Sequence, residues 1–182
     1  MSDTPIVDPS IPPAAIPAWV DGVLQPVDKL QAHQNGWRHQ AISVFVFAQG
    51  HLLLQRRALG KYHTPGLWAN TCCTHPHWGE AATDTAPRRL SEELNLVGVA
   101  LDQVGQVEYR ADVSGGMIEH EVVEMFVGHM PQCREIAPNP AEVSAVQWIT
   151  KEALLHKIAQ TPDAFTPWLR IYLDQHADVF WP

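Results

Sequence analysis

Positive charge is scarce in this chain. Twelve lysines and arginines face twenty aspartates and glutamates, a formal net charge of -8 at neutral pH. Nucleic acid and anionic membranes are gripped by basic surfaces, so neither is an expected partner, and an anionic ligand has to be held by cations gathered locally. Cysteine is scarce too: there are three, and Cys72 and Cys73 are adjacent. That is a poor disulfide framework and points to free thiols in a reducing compartment. Long apolar runs are also lacking. The stretch AISVFVFA at residues 41–48 is far short of the roughly 20 residues that cross a bilayer. The N-terminal segment has neither a basic region leading into an apolar one nor an arginine-rich amphipathic pattern, so no targeting signal is read and the expected location is the cytoplasm.

A chain of 182 residues is long enough to bury one substantial core. The proline-rich residues 1–18 read as a flexible arm and residues 19–182 as a single domain. Residues 19–29 predict two short strands about the turn dipeptide Asp21-Gly22. Residues 30–39 read as a polar connection, and residues 41–48 and 51–55 as a hairpin about Gln49-Gly50 at the heart of the sheet. Residues 61–71, with their glycine, proline and aromatics, predict an irregular loop on a rigid scaffold. Residues 83–94 predict about three helical turns. Thr83 or Thr85 would be the N-cap, Pro87 is tolerable only in the first turn, and Asn95 suits the left-handed position at the end. Strands over 104–111, 119–129 and 145–149 precede helices near 151–160 and 167–177. Strands, a helix, more strands and then helices make an α/β sandwich with a mixed sheet.

Reactive chemistry is concentrated in residues 56–96. Arg56, Arg57, Lys61, Arg88 and Arg89 lie there, and so dense a group in an acidic protein suits a small phosphate-bearing substrate. Glu80, Arg88, Glu92 and Glu93 fall on a loop and the helix that follows it, with Arg89 and Glu93 four apart on one face. Carboxylates so spaced can hold a magnesium ion that also meets phosphate oxygens, although solvated surface helices carry the same pattern. Cys73 and His75, two apart in an extended segment, share a face, whereas Cys72 turns away to pack. A thiol beside a cation can act as acid or base.

Glu119 and Glu121 share a face of a predicted strand, with His120 turned away. Like charges so placed either meet solvent or gather round a metal. With His33, His39 and His75 they offer three nitrogens and two oxygens. Each alone reads as a surface or packed polar residue, but the set suits a divalent metal, with zinc, manganese and magnesium all fitting. Tyr109 and Trp168 default to core packing. In a site that generates a cation, an indole face adds about 1–2 kcal/mol of stabilisation when desolvated.

The offsets from Thr74 to Leu96 resemble the Nudix box. Glu80, Arg88, Leu90, Glu92, Glu93 and Leu96 match it, while Thr74 and Asn95 stand at glycine positions and Arg89 stands at the glutamate that follows the arginine. In Nudix hydrolases that glutamate belongs to the metal-binding set, so its loss argues against hydrolysis. With RRALGK, PGLWANTCCTHP, YRADVSGGMIEHE and FTPW in order, residues 21–172 resemble the type 1 isopentenyl-diphosphate isomerase family. The resemblance implies a Nudix-type α/β/α sandwich and interconversion of isopentenyl and dimethylallyl diphosphate by protonation and deprotonation through a carbocation, in isoprenoid biosynthesis. It implies Cys73 and Glu121 as the catalytic pair, either of which could be the acid, with Tyr109 and Trp168 as active-site aromatics. It further implies Arg57, Lys61 and Arg89 as diphosphate contacts and His33, His39, His75, Glu119 and Glu121 as ligands of one divalent metal. Glu93 would bind the magnesium that accompanies substrate.

Two other readings compete. A Nudix pyrophosphohydrolase acting on a small diphosphate would use the box helix as its metal site and would not need Cys73. A non-catalytic sensor of a phosphate ligand would bind without turnover. Oligomeric state is open at this stage.

Overall fold

The computed structural model describes residues 14–181. The strands are β1 (Ala15–Val20), β2 (Val23–Asp28), β3 (His39–Ala48), β4 (His51–Arg57), β5 (Trp68–Ala69), β6 (Cys72–Thr74), β7 (Leu101–Val113), β8 (Met117–His129) and β9 (Val143–Thr150). The helices are α1 (Lys29–Asn35), α2 (Ala82–Leu94), α3 (Lys151–Gln160), α4 (Pro167–Gln175) and the short α5 (Ala177–Phe180). All nine strands join one mixed sheet.

Strand β3 organises it. Its residues are almost wholly buried, as expected of a strand covered on both faces. It pairs in parallel with β8 from His39 opposite Glu121 to Phe47 opposite His129, and antiparallel with β6, where Ser43 faces Cys73. The β3–β4 hairpin pairs only at its closed end before β4 turns away to β9. Gln49 and Gly50 both take positive φ there, as do Asp21 and Gly22 between β1 and β2. These are the mirror-image turns that match strand twist in a two-residue hairpin.

Side chains alternate across β3 and so divide the core. Ala41, Phe45 and Phe47 pack with Val123, Met125 and Val127 of β8 under Leu154 of α3 and Trp168, Leu169 and Tyr172 of α4. Ile42, Val44 and Val46 pack on the other face against Ala86, Leu90 and Leu94 of α2. The product is an α/β/α sandwich around a mixed sheet, the Nudix-type arrangement that the resemblance implied.

Several expectations need correction. Strand β1 begins at Ala15, inside the stretch read as a flexible arm, while residues 1–13 lie outside the described residues. Pro17 faces Pro26 across the β1–β2 hairpin. Facing pairs alternate between bonded and non-bonded outward from a two-residue turn, which puts this one where no N–H is needed within the hairpin.

Residues read as a polar connection contain α1. Asp28 caps it by accepting from the Gln31 amide at 3.0 Å, and Gly36 ends it at φ 63°, where Ile118 would crowd any added Cβ. The N-cap of α2 is Ala81, not Thr83 or Thr85, because the Thr85 amide already donates to the Ala81 carbonyl at 3.0 Å. Pro87 therefore lies in the second turn, where the helix gives up one backbone bond and is held by its buried face. Asn95 takes the left-handed position at φ 53° and donates to the Ser91 carbonyl, as expected.

Candidate active site

Register places the chemistry at one end of the sheet. His39 and Ser43 share the face of β3 that carries Phe45. The parallel pairing sets Glu121 beside His39, the antiparallel pairing sets Cys73 beside Ser43, and β7 brings Tyr109 opposite Glu121. Helix α1 contributes His33, the segment after β6 contributes His75, and the start of α4 lowers Trp168 onto the site. Arg57, Lys61, Cys73, His75, Arg89, Glu93, Tyr109, Glu119, Glu121 and Trp168 line a single cleft. A larger groove of about 530 Å³ between α3 and α4 holds none of them.

His33, His39, His75, Glu119 and Glu121 are all buried, and their ligand atoms lie within 4.8 Å of one another. His33 Nδ1 donates to the Lys29 carbonyl at 2.6 Å and His39 Nδ1 to the Trp37 carbonyl at 2.7 Å. Those bonds leave each Nε2 as a bare lone pair. Both lone pairs face Glu119 Oε2, at 3.1 and 3.6 Å, and His39 also faces Glu121 Oε1 at 3.7 Å. Lone pairs opposed to carboxylate oxygens repel unless a cation stands between them. His39 Nε2 and Glu119 Oε2 are buried without a hydrogen-bond partner, so the donor set fits a divalent metal. Without one the compensating charge is a proton: burial alone would lower His39, but bonds and charge from Glu119 and Glu121 outweigh it and raise the group to about 9. Burial and Lys29 push His75 well down instead.

Glu121 has both oxygens engaged, Oε1 by His75 Nε2 at 2.8 Å and Oε2 by the Tyr109 hydroxyl at 2.6 Å. Burial opposes its ionisation, yet His39 and His75 hold its carboxyl well below the usual range. Cys73 is the opposite case. Burial first, and the charge of Glu121 second, push its thiol well above the ordinary value. Its Sγ lies 3.0 Å from Ser43 Oγ, which in turn donates to Tyr172 Oη at 2.9 Å. Cys72 packs in the core with α2.

Cations form the cleft's other wall. Arg57 is buried, with its guanidinium 5.4 Å from the Trp168 ring centre. Lys61 pairs with Glu142, and Arg89 bridges Glu142, Glu92 and Glu93. The box carboxylates are taken up by arginine: Arg88 holds Glu80 with two bonds, 2.6 and 2.7 Å, and reaches Glu92. Glu93 meets Arg89 and Gln55 rather than joining the histidine cluster. The degenerate box therefore gathers no carboxylate cage.

Sequence reasoning missed Lys29, His63, Ser43, Tyr172 and Glu142. Lys29 had a signal, being four residues before His33 on α1. His63 lies inside the KYHTPG loop without any regular spacing to the other histidines, and the remaining three come together only through tertiary pairing.

The NUDIX domain family model matches residues 37–169. An isopentenyl-diphosphate Delta-isomerase of Rhodobacter capsulatus is 59% identical over 92% of this chain and 95% of that protein. One from Cereibacter sphaeroides is 59% identical over 91% and 94%. Among solved structures, a Deinococcus radiodurans protein superposes with a TM-score of 0.69 at 15% identity, covering 89% of this chain and 98% of that one. A MutT NUDIX hydrolase from Burkholderia pseudomallei gives 0.59 at 21% identity, covering 76% and 98%. At those identities the structural likeness speaks for the fold alone, whereas the sequence relatives reach further. The chain belongs to the Nudix superfamily and, within it, to the isopentenyl-diphosphate Delta-isomerase family.

Proposed function

We infer that this chain interconverts isopentenyl diphosphate and dimethylallyl diphosphate, with Cys73 and Glu121 as the proton-transferring pair. The observation that carries the reading is their placement in one cleft, the thiol kept protonated and the carboxylate kept ionised. Moving a double bond takes one proton on at one end of the allylic unit and another off at its opposite end, with the cation on the carbon between. A pair that holds a single proton between its two members is what this needs. The reaction is reversible, so the group that donates in one direction accepts in the other.

Arg57, Lys61, Arg89 and the newly placed Lys29 would grip the diphosphate and leave the alkenyl tail against Cys73 and Glu121. Lys61 and Arg89 are held by Glu142, which the diphosphate would displace. Protonating an unactivated alkene yields a tertiary carbocation that must be kept from water. The Trp168 face would stabilise it, and Tyr109 would fix Glu121 in place. His33, His39, His75, Glu119 and Glu121 would hold one divalent ion (manganese, magnesium or zinc), and Glu93 would meet the magnesium that enters with substrate. When bound, such ions supply charge that orients the carboxylate and neutralises the diphosphate. No water is consumed, which fits a box that has lost its hydrolytic glutamate to Arg89.

No helix among the described residues is long and apolar enough to cross a membrane, and all three cysteines are free. Both support action on a small diphosphate in the cytoplasm. The test is to incubate purified protein with magnesium and isopentenyl diphosphate in deuterated water. Dimethylallyl diphosphate carrying solvent deuterium is expected, and phosphate release without isomer would overturn the reading in favour of a pyrophosphohydrolase.

A further inference from the structure

One histidine in the cleft has no part in the function as described. His63 comes from the loop between β4 and β5, is 4% exposed, and turns its ring into the site rather than out to solvent. Its Nε2 lies 3.1 Å from Oε1 of Glu119, the oxygen that faces away from His33 and His39. Its Nδ1 lies 3.1 Å from Thr64 Oγ1. The hydroxyl of Thr64 can donate a hydrogen bond to Nδ1, and in that tautomer Nε2 carries its hydrogen on the side of the carboxylate.

The ring is clamped on every side. It stacks on His33 with centroids 5.3 Å apart and meets Trp168 edge-on at 6.0 Å. Arg57 Nη2 donates to the His63 carbonyl at 3.2 Å. The next residue, Thr64, stands at φ 46° although it is β-branched and precedes proline. Such a conformation survives only where its surroundings enforce it. Here the Thr64 amide donates to Ser114 Oγ at 2.7 Å.

We propose that His63 is a positioning residue for Glu119, holding its outer oxygen so that the inner one is presented to the His33–His39 end of the cluster. The two oxygens of Glu119 then have separate tasks. Oε1 lies against His63 Nε2, and Oε2, which has no hydrogen-bond partner, is free to meet a cation from one side only. Glu121 is arranged in parallel fashion, its Oε2 committed to Tyr109. Each cluster carboxylate is thus pinned by one donor outside the five-residue set. Pinning of this kind fixes the denticity and angle of a ligand. The inference rests on the reading of that set as a divalent-metal site.

The experiment uses metal-stripped full-length protein and manganese alone, with affinity measured by chelator competition and by the metal-dependent rise in melting temperature. Wild type, His63→Ala, His63→Gln and His39→Ala are compared. Removing an outer partner of a ligand weakens metal binding by about 10- to 100-fold, so that loss is expected for His63→Ala. His63→Gln, which keeps an N–H donor, should recover most of the affinity. His63→Ala binding as tightly as wild type overturns the proposal while leaving the metal site intact. A glutamine variant as weak as alanine also overturns it, because the N–H would then be irrelevant. If wild type and His39→Ala bind manganese equally poorly, the metal-site reading itself fails and takes this inference with it.

Discussion

The hydroxyl of Tyr109 donates to Glu121 Oε2 at 2.6 Å from directly across the β7–β8 ladder. The two residues face each other at a register position, so the bond is set by strand pairing and not by a mobile side chain. A hydrogen bond to a charged group is worth about 1.5–3 kcal/mol. Tyr109→Phe should therefore lower kcat by about 10- to 100-fold, at 1.4 kcal/mol per decade, with little change in KM. Glu121→Gln should lose more, because one of the two proposed proton-transferring groups is itself gone. Steady-state isomerisation kinetics separate the two, and a Tyr109→Phe enzyme with unaltered kcat would remove Tyr109 from the site.

Cys73 is partly buried, packed against the core on the α4 side of the sheet, and the desolvation that raises its thiol makes it a poor nucleophile at neutral pH. Iodoacetamide should modify it slowly at pH 7 and markedly faster above pH 9, as followed by peptide mass spectrometry with Cys133 as the internal comparison. Cys73→Ala should fold normally and lose at least about 100-fold in kcat, the lower end of what a positioned acid or base contributes. Ser43→Ala should alter the alkylation profile as well as kcat, since Ser43 is the hydrogen-bonding neighbour of the sulfur.

How much of this was legible beforehand depended on whether a feature is local. The hairpins about Asp21-Gly22 and Gln49-Gly50 are written in two residues each and appear where expected. Residues 15–18 were misjudged because Pro17 continues a proline-rich run that looks like a linker until it is seen facing Pro26. Helix α1 was missed because KLQAHQN is short and polar, and its cap lies in Asp28 outside it. The five cluster residues were named through a family resemblance, and the structure brings all five together. Ser43, Tyr172 and His63 could not be read the same way. They reach the site only once β3 pairs in parallel with β8, α4 packs on that face, and a strained turn at Thr64 aims the loop inward, none of which leaves a spacing pattern in the chain.

The Glu80–Arg88 pair offers a stability test away from the chemistry. Partial burial would raise the Glu80 carboxyl, but two bonds from Arg88 and one from the His77 amide outweigh it and hold the group at about 2, against an ordinary 4.5. A depressed carboxyl stabilises the fold above its unfolded pKa and stops doing so as pH falls through the folded value. The pair touches solvent, so its contribution is about 1–2 kcal/mol and not the larger figure that the full shift would imply. Glu80→Gln should be less stable than wild type by that amount at pH 7 in urea unfolding. The gap should close as pH drops from about 4.5 towards 2, and a gap that persists at the acid end would assign the effect to packing.

Lys29 gives the alkaline counterpart, and this one acts on substrate. It starts α1 at the edge of the cationic wall, and burial first, then the nearby charge of Lys61, lower its ammonium from 10.5 to about 8. Below that pH it is a fourth cation beside Arg57, Lys61 and Arg89; above it, the diphosphate meets one positive charge fewer. The profile of kcat/KM, which reports groups of the free enzyme, should therefore fall above pH about 8, with KM rather than kcat carrying the change. Lys29→Arg keeps its charge throughout this range because a guanidinium does not deprotonate there, so its alkaline limb should move up beyond pH 9 or vanish. A limb unchanged in Lys29→Arg would trace the titration to another group and remove Lys29 from the diphosphate contacts.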